Sequence, residues 1–182
     1  MTDFSKFEKI LGVEFKDKNL LRLALTHRSY INENPSASEQ NERLEFLGDA
    51  VLELVVTEYL YKQFPEKPEG ELTALRASLV NANMLGDAAN GLNFNDFLLL
   101  SRGEARDIGR ARQYILANTF EAVVGAIYLD HGYETVKSFI IKILTPKIPE
   151  ILEKRLYRDA KSFFQEEAQE RVGITPTYEV LK

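Results

Sequence analysis

Apolar residues recur at intervals of three and four along most of this chain, and such spacing predicts α-helices. Gly12 would end a first helix, and Asp17 is placed to cap a second one. Pro65 would end the longest helix, which lies between two predicted loops, "NENPSAS" and "PEKPEG". Beyond the first two helices, the pattern predicts further helices over residues 40–64, 71–81, 111–129, 134–144 and 159–171.

Strand signals are scarce until the C-terminal end, where "TPTYEVLK" (175–182) has the pattern of a strand. We therefore expect an all-α domain over residues 1–153. Residues 154–182 are expected to form a charged linker, one helix, a stop at Gly173 and a single strand.

The stretch "NERLEFLGDAVLELV" (41–55) places four carboxylates at spacings of three, four and four: Glu42, Glu45, Asp49 and Glu53. On a helix they form one narrow stripe, and like charges four residues apart cost roughly a few tenths of a kcal/mol per pair. Apolar side chains occupy nearly all other faces, including Phe46 and Ala50 beside the stripe, and such a helix is typically buried. We therefore expect the acids to line an internal cleft that a cation neutralises. An ordinary solvated helix face is the alternative interpretation.

A second helix carries a matching pattern in "ILANTFEAVVGAIYLD" (115–130). Asn118, Glu121 and Gly125 repeat the spacing of three and four, and Gly125 would let another helix approach closely. If Glu121 faces Glu45 and Asp49, the three acids make an oxygen-rich site for a hard divalent ion such as Mg²⁺. A core acid satisfied by its own partners is an equally open interpretation of Glu121.

The charge of the chain is unevenly distributed. Its formal net charge of −5 arises from 23 basic and 28 acidic residues, and residues 36–58 alone contribute six acids and one base. Net acidity argues weakly against a nucleic-acid partner, but basic clusters remain in "SRGEARDIGRARQ" (101–113) and "KRLYRDAK" (154–161). The chain has no cysteine, no apolar signal core and no apolar run of transmembrane length, so we expect a soluble cytoplasmic protein without a membrane partner.

The motif "NERLEFLGDAVL" (41–52) resembles the signature of the ribonuclease III family, the endonucleases that cut double-stranded RNA. Three further segments, "ALTHRSY", "EGELTALRASLVN" and "ILANTFEAVVGAIYLD", resemble other landmarks of the family in the same order, so the resemblance covers essentially the whole chain. The segment "DAKSFFQEEAQERVGITPTYEV" resembles the first helix and first strand of a double-stranded-RNA-binding domain.

The resemblance implies a role for particular residues. Asp49 and Glu121 match catalytic carboxylates; Glu45, Asn118 and Glu121 match metal ligands; Glu42 and Glu69 match supporting acids; and Phe46 matches an aromatic side chain that contacts the partner subunit of a homodimer. Where this chain has Asn118 the family commonly has aspartate. An asparagine oxygen still binds metal, but the site loses one negative charge, so we expect weaker metal affinity.

The implied reaction is hydrolysis of double-stranded RNA with Mg²⁺, for which Mn²⁺ would substitute, leaving 5′-phosphate and 3′-hydroxyl ends. No small-molecule cofactor beyond the metal is implied. Four arginines of segment 101–113 are candidates to grip the RNA backbone, although a solvated loop is the alternative: Arg102, Arg106, Arg110 and Arg112. His27, in "ALTHRSY", is expected to serve the fold as a core or capping residue.

Two other functions are possible on the sequence. Asn118 is compatible with a dimer that binds duplex RNA without cutting it. A helical di-metal protein of oxygen chemistry would use Glu-x-x-His pairs, and neither His27 nor His131 lies three residues after a glutamate.

Overall fold

α-Helices dominate the computed structural model, which describes residues 4–35, 37, 39–106, 109–154, 157 and 160–177, without the side chains of 160–163, 166 and 167. Short 3₁₀ turns at Phe94–Asp96, Glu104–Arg106 and Thr145–Lys147 connect some of the helices. The α-helices of this part of the chain are α1 (Ser5–Leu11), α2 (Lys18–Ala24), α3 (Arg28–Glu33), α4 (Glu42–Gln63), α5 (Glu69–Val80), α6 (Ala82–Gly91), α7 (Arg110–His131), α8 (Tyr133–Leu144), α9 (Ile148–Glu153) and α10 (Ala160–Val172).

The first helix ends and the second begins where the sequence predicts. Gly12 ends α1 in the left-handed conformation, at a φ of 71°, which glycine adopts without the strain that a side chain would impose. The Asp17 side chain caps α2 by accepting a hydrogen bond from the backbone N–H of Asn19 at 2.9 Å.

The long helices also agree with prediction, since each end of α4, α5, α7, α8 and α10 lies within two residues of its expected position. The sequence prediction missed α3, α6 and α9. α3 and α9 are too short to show an apolar period, and α6 ("ANMLGDAANG") is built largely from small residues. Of the strand expected at 175–182, residues 175–177 are not in a strand, and 178–182 lie outside the described residues.

The core is organised around α4 and α7, which lie at the centre of the domain. A row of aromatic rings crosses it, with Phe94 between Phe7 (centroids 4.8 Å apart) and Phe120 (6.0 Å), and Phe139 stacked next to Phe120 (5.8 Å). All four rings are buried, so these contacts fix α1, α7 and α8 relative to one another.

The prediction that α4 is buried all round is wrong for one face. Phe46 is 81% exposed, Leu54 is 56% exposed, and Ala50 between them is also exposed. These residues are four apart and form a continuous stripe, called here the apolar face. Apolar periodicity reports which side chains avoid water in the functional protein, and the described part of a single chain leaves these three side chains exposed.

Within the part of the chain that the structure covers, no helix is long and apolar enough to cross a membrane.

Candidate active site

The two central helices touch backbone to backbone where Gly48 of α4 meets α7. A Cβ atom added to Gly48 would lie 1.7 Å from the carbonyl oxygen of Glu121, far inside van der Waals contact. A Cβ atom added to Gly125 would lie 2.3 Å from the carbonyl oxygen of Leu44. The predicted role of Gly125 in close approach is therefore confirmed. Gly48 is equally necessary, and the sequence prediction overlooked it although it lies between Glu45 and Asp49.

This crossing brings together three carboxylates, Glu45 and Asp49 of α4 and Glu121 of α7, which we call the acidic centre. Burial raises the pKa of Glu121 to about 7, and the neighbouring charges of Asp49 and Glu45 add to the effect. Burial also raises the pKa of Glu45, with contributions from Glu42 and Asp49. The side chains thus lie close enough to oppose one another's ionisation.

The acidic stripe of α4 is paired at its ends and unpaired in its middle. Arg28 lies 4.0 Å from Glu42, and Arg76 lies 3.5 Å from Glu53. Arg76 is also held by a hydrogen bond of 3.0 Å from its guanidinium to the hydroxyl of Thr57. The structure shows no ion pair or side-chain hydrogen bond from the acidic centre to any residue that it describes. The uncompensated charge is therefore concentrated where α4 crosses α7.

The donor chemistry of the acidic centre fits a hard divalent cation. Its groups are carboxylates, and Asn118 adds an amide oxygen from an exposed position one turn before Glu121 on α7. Among the described residues, however, no three acids or histidines already lie within reach of one ion. For all three carboxylates to bind one cation, their side chains would therefore have to move closer together. Glu121 would also have to lose the proton that its raised pKa favours.

Glu69 lies away from the acidic centre of its own chain. It occupies the first turn of α5, where its carboxylate accepts a hydrogen bond from the Thr73 hydroxyl at 3.1 Å. α5 returns alongside α4, so its start lies near Gln63, fourteen residues after Asp49 and roughly 20 Å along the helix axis. Of the two supporting acids implied by the resemblance, only Glu42 lies next to the acidic centre.

The basic segment 101–113 leads directly into α7, with residues 107 and 108 outside the described part. Arg102, Arg106 and Arg110 are exposed. Arg112 is half-buried, and its guanidinium donates to the carbonyl oxygens of Glu104 at 3.0 Å and Ala105 at 3.1 Å. Arg112 thus holds the turn that precedes α7, while the other three arginines extend from the surface. Most of the second basic cluster, 154–161, falls on residues or side chains that the structure does not describe.

His27 serves the fold, as predicted. Its Nδ1 accepts a hydrogen bond from the backbone N–H of Ser29 at 3.3 Å and caps α3. Burial lowers the pKa of His27, which favours the neutral ring that this cap requires. The hydroxyl of Ser29 in turn accepts from the backbone N–H of Ser101 at 3.0 Å, so the cap also anchors the start of the basic segment.

Phe46 projects beside a groove of about 1310 Å³. The groove is formed by α2, α3, α4 and α7, and Leu23, Leu47 and Leu129 contribute apolar lining. Glu42 also lines this groove and lies next to Glu45, so the groove and the acidic centre occupy adjoining parts of the surface around the N-terminal end of α4.

The profile of the Ribonuclease-III-like family matches residues 17–148, which include both helices of the acidic centre. The chain is 48% identical over 181 residues to ribonuclease 3 of a Nitratiruptor species, covering 100% of this chain and 78% of that one. It is 45% identical over 177 residues to ribonuclease 3 of Treponema denticola, covering 97% of this chain and 72% of that one.

Its structure matches the nuclease domain of ribonuclease III from Campylobacter jejuni with a TM-score of 0.73 and 46% identity, covering 81% of this chain and 99% of that one. That domain has been described for structural flexibility in a region involved in dimer formation. The resemblance carried by "NERLEFLGDAVL" is confirmed, and the chain belongs to the ribonuclease III family of metal-dependent nucleases.

Proposed function

We propose that this chain is an endoribonuclease that hydrolyses the phosphodiester bonds of double-stranded RNA with the help of a divalent metal, leaving 5′-phosphate and 3′-hydroxyl ends. The observation that carries the proposal is the acidic centre, because three carboxylates that oppose one another's ionisation, with no partner among the described residues, destabilise a fold and need a functional reason. Processing of cellular RNA precursors is the corresponding role, and a cytoplasmic location remains a prediction from the sequence.

Glu45, Asn118 and Glu121 are the proposed ligands of Mg²⁺, with Mn²⁺ as a substitute. A divalent ion held by these residues would lower the pKa of an attached water and would neutralise charge on the reacting phosphate. Glu121 contributes an ionised carboxylate only after it loses its proton, and because its pKa is raised to about 7 this loss needs a higher pH than for an ordinary glutamate. Asp49 is the most exposed member of the acidic centre, and we assign its carboxylate with that of Glu121 to the reacting groups.

Arginines of the basic segment are the proposed RNA contacts. Arg102 and Arg106 are exposed ahead of the helix that carries Glu121, and Arg110 is exposed in its first turn, so they can offset the repulsion between the acidic centre and phosphates. The commitment of Arg112 to backbone carbonyls makes it the least accessible of the four. Duplex RNA is recognised chiefly through shape, phosphates and 2′-hydroxyls, so weak base preference and a steep loss of affinity with salt are expected.

A homodimer accounts for the apolar face. Phe46, Ala50 and Leu54 are exposed in the single chain, and a contiguous apolar surface of this kind is typical of an interface. The relative from Campylobacter jejuni has a region involved in dimer formation. We therefore propose that Phe46 contacts a second copy of the chain.

The proposed division of the chain is a catalytic domain over 1–153 and, over 154–182, a linker with the beginning of a double-stranded-RNA-binding domain. α10 and the left-handed Gly173 that follows it, at a φ of 67°, support a helix and stop at the predicted place.

The test is cleavage of an end-labelled RNA duplex with and without Mg²⁺. We expect products only when the metal is present. Duplex RNA should be cut, whereas single-stranded RNA and duplex DNA should not. The Glu121→Gln variant should give no products. A protein that binds the duplex but leaves it intact in Mg²⁺ and in Mn²⁺ would instead be the non-cleaving dimer. Oxygen-dependent chemistry with no effect on RNA would favour the helical di-metal alternative.

A further inference from the structure

Tyr114 lies on the accessible stripe of α7 that leads to the acidic centre. Arg110, Tyr114 and Asn118 are four residues apart, and all three are exposed, with half-buried Glu121 on the following turn. On the opposite side of this half of the helix, Leu116 and Phe120 are buried in the core. Tyr114 is 55% exposed, so its ring and hydroxyl are accessible to a ligand that approaches the acidic centre.

Gln113 fixes the orientation of this stripe. Its side-chain amide donates to the Asn83 carbonyl oxygen at 3.1 Å and to the Asp87 carboxylate at 2.8 Å, both on α6. A Cβ atom on Gly86 would lie only 2.6 Å from the same amide nitrogen, so α6 and α7 are in close contact here. Because successive residues are about 100° apart around a helix, Tyr114 is turned away from α6 and toward solvent.

Tyrosine suits this position electrostatically. Tyr114 precedes Glu121 by seven residues, or two turns, on the same side of α7. A lysine or arginine there would place a positive charge near the uncompensated carboxylates and offset part of their negative charge. A phenol is uncharged at neutral pH and still donates a hydrogen bond, so it can approach an oxygen of the RNA backbone without disturbing the acidic centre.

We propose that the Tyr114 hydroxyl donates a hydrogen bond to an oxygen of the RNA backbone beside the bond to be cut, either a phosphate oxygen or a 2′-hydroxyl. Together with Arg110 it would align the strand along α7 toward Asn118 and Glu121. The inference rests on the proposed function, since it names a further contact for the same substrate.

The experiment compares Tyr114→Phe, which removes only the hydroxyl, with Tyr114→Ala, which also removes the ring. Tyr61→Phe is the matched control, because Tyr61 is 72% exposed on α4 but twelve residues, or roughly 18 Å, beyond Asp49. Duplex-RNA affinity is measured in double variants that combine each tyrosine substitution with Glu121→Gln, so that no cleavage is expected during the binding measurement. KM and kcat are measured in the single tyrosine variants, which keep Glu121.

Loss of one hydrogen bond corresponds to about a 2- to 10-fold change in affinity for a neutral 2′-hydroxyl acceptor, and to roughly a 10- to 150-fold change for an anionic phosphate oxygen. We expect Tyr114→Phe to weaken RNA binding and raise KM by a factor within one of these ranges, with kcat within about twofold, and Tyr114→Ala to lose at least as much. Tyr61→Phe should match the wild type, and thermal unfolding should be unchanged in all three because the side chains are exposed. Unchanged affinity and KM in Tyr114→Phe, whatever the result for Tyr114→Ala, or an equal loss in Tyr61→Phe, would overturn the inference.

Duplexes with 2′-deoxynucleotides around the cleavage site distinguish the two acceptors. If Tyr114→Phe costs nothing further on such a duplex, the acceptor is a 2′-hydroxyl; if its cost is undiminished, the acceptor is a phosphate oxygen. Failure of the wild-type chain to cut duplex RNA would overturn the proposed function, whereas normal cutting with indifferent Tyr114 variants would overturn this inference alone.

Discussion

The backbone nitrogen of Gly48 lies 3.1 Å from the point where Gly125 would carry a Cβ atom, so neither glycine of the α4–α7 crossing has room for a side chain. The flanking carboxylates are brought together by this contact and not by any attraction of their own. The fold thus uses close packing of two backbones to stabilise an arrangement that electrostatics opposes.

Replacing Gly48 by alanine should therefore destabilise the protein by about 3 kcal/mol or more, because the new methyl group meets backbone atoms that have little freedom to move. Cleavage should fall as α4 and α7 separate. The measurement is urea unfolding followed by circular dichroism. Gly70→Ala is the control, since nothing lies within 4 Å of its added Cβ atom in α5 and alanine favours a helix. Equal stability of the two variants would contradict a steric requirement at Gly48.

Glu121→Gln should abolish cleavage while leaving the fold intact. The amide keeps the shape of the side chain but loses the negative charge that a metal ligand and catalytic carboxylate needs. The check is duplex-RNA cleavage at saturating Mg²⁺, with circular dichroism and sedimentation to verify structure and assembly. Glu53→Gln is a suitable comparison, because Arg76 already compensates Glu53 at the end of the stripe. Undiminished cutting by Glu121→Gln would exclude Glu121 as a ligand.

The same substitution should alter the pH dependence of stability. The folded chain holds the Glu121 proton up to a pKa of about 7, against an ordinary value of 4.5, so stability is lost as pH rises between these values. In a chelating buffer at pH 8, the free energy of unfolding of Glu121→Gln should exceed that of the wild type by about 1–2 kcal/mol. This range is smaller than the full pKa shift would give, because solvent screens the partly exposed carboxyl group. The two proteins should converge below pH 4.5. Parallel stability profiles would show that Glu121 has an ordinary pKa.

Local sequence predicts the helices of this fold well because α4 and α7 carry long, regular apolar patterns. It misses α3, because this short helix is held by contacts that leave no periodic pattern in the sequence. His27 caps its start, and the backbone N–H of the distant Ser101 donates a hydrogen bond to the Ser29 hydroxyl. It also predicts which residues meet, because Gly125 marks the contact point of α7. Glu42 pairs with Arg28 and Glu53 pairs with Arg76, and each pair joins two different helices. Such pairs depend on how the helices pack against each other, and the spacing of residues along one helix gives no information about that packing.

Asn118→Asp should lower the Mg²⁺ concentration that half-saturates cleavage, because it adds a carboxylate one turn before Glu121. In the wild type, Mn²⁺ should outperform Mg²⁺, since oxygen and nitrogen sites bind transition metals more tightly and a weakened site shows the difference more clearly. Metal titrations of the cleavage rate measure both effects, with Asn118→Ala as the control that removes the amide oxygen. If neither substitution moves the titration, Asn118 lies outside the set of metal ligands.

Phe46→Ala should separate the proposed dimer without unfolding the chain. The ring is 81% exposed in the single chain, so its removal costs little internal packing, whereas burying it in a partner would be worth about 2–3 kcal/mol. Sedimentation at micromolar concentration should therefore show a lower average mass for Phe46→Ala than for the wild type, with similar thermal unfolding at high protein concentration. Phe164→Ala is the matched control, because Phe164 is also exposed, at 58%, but belongs to α10 rather than to the apolar face. If Phe46→Ala and the wild type sediment alike, Phe46 does not hold two copies together and the apolar face must be explained by another contact.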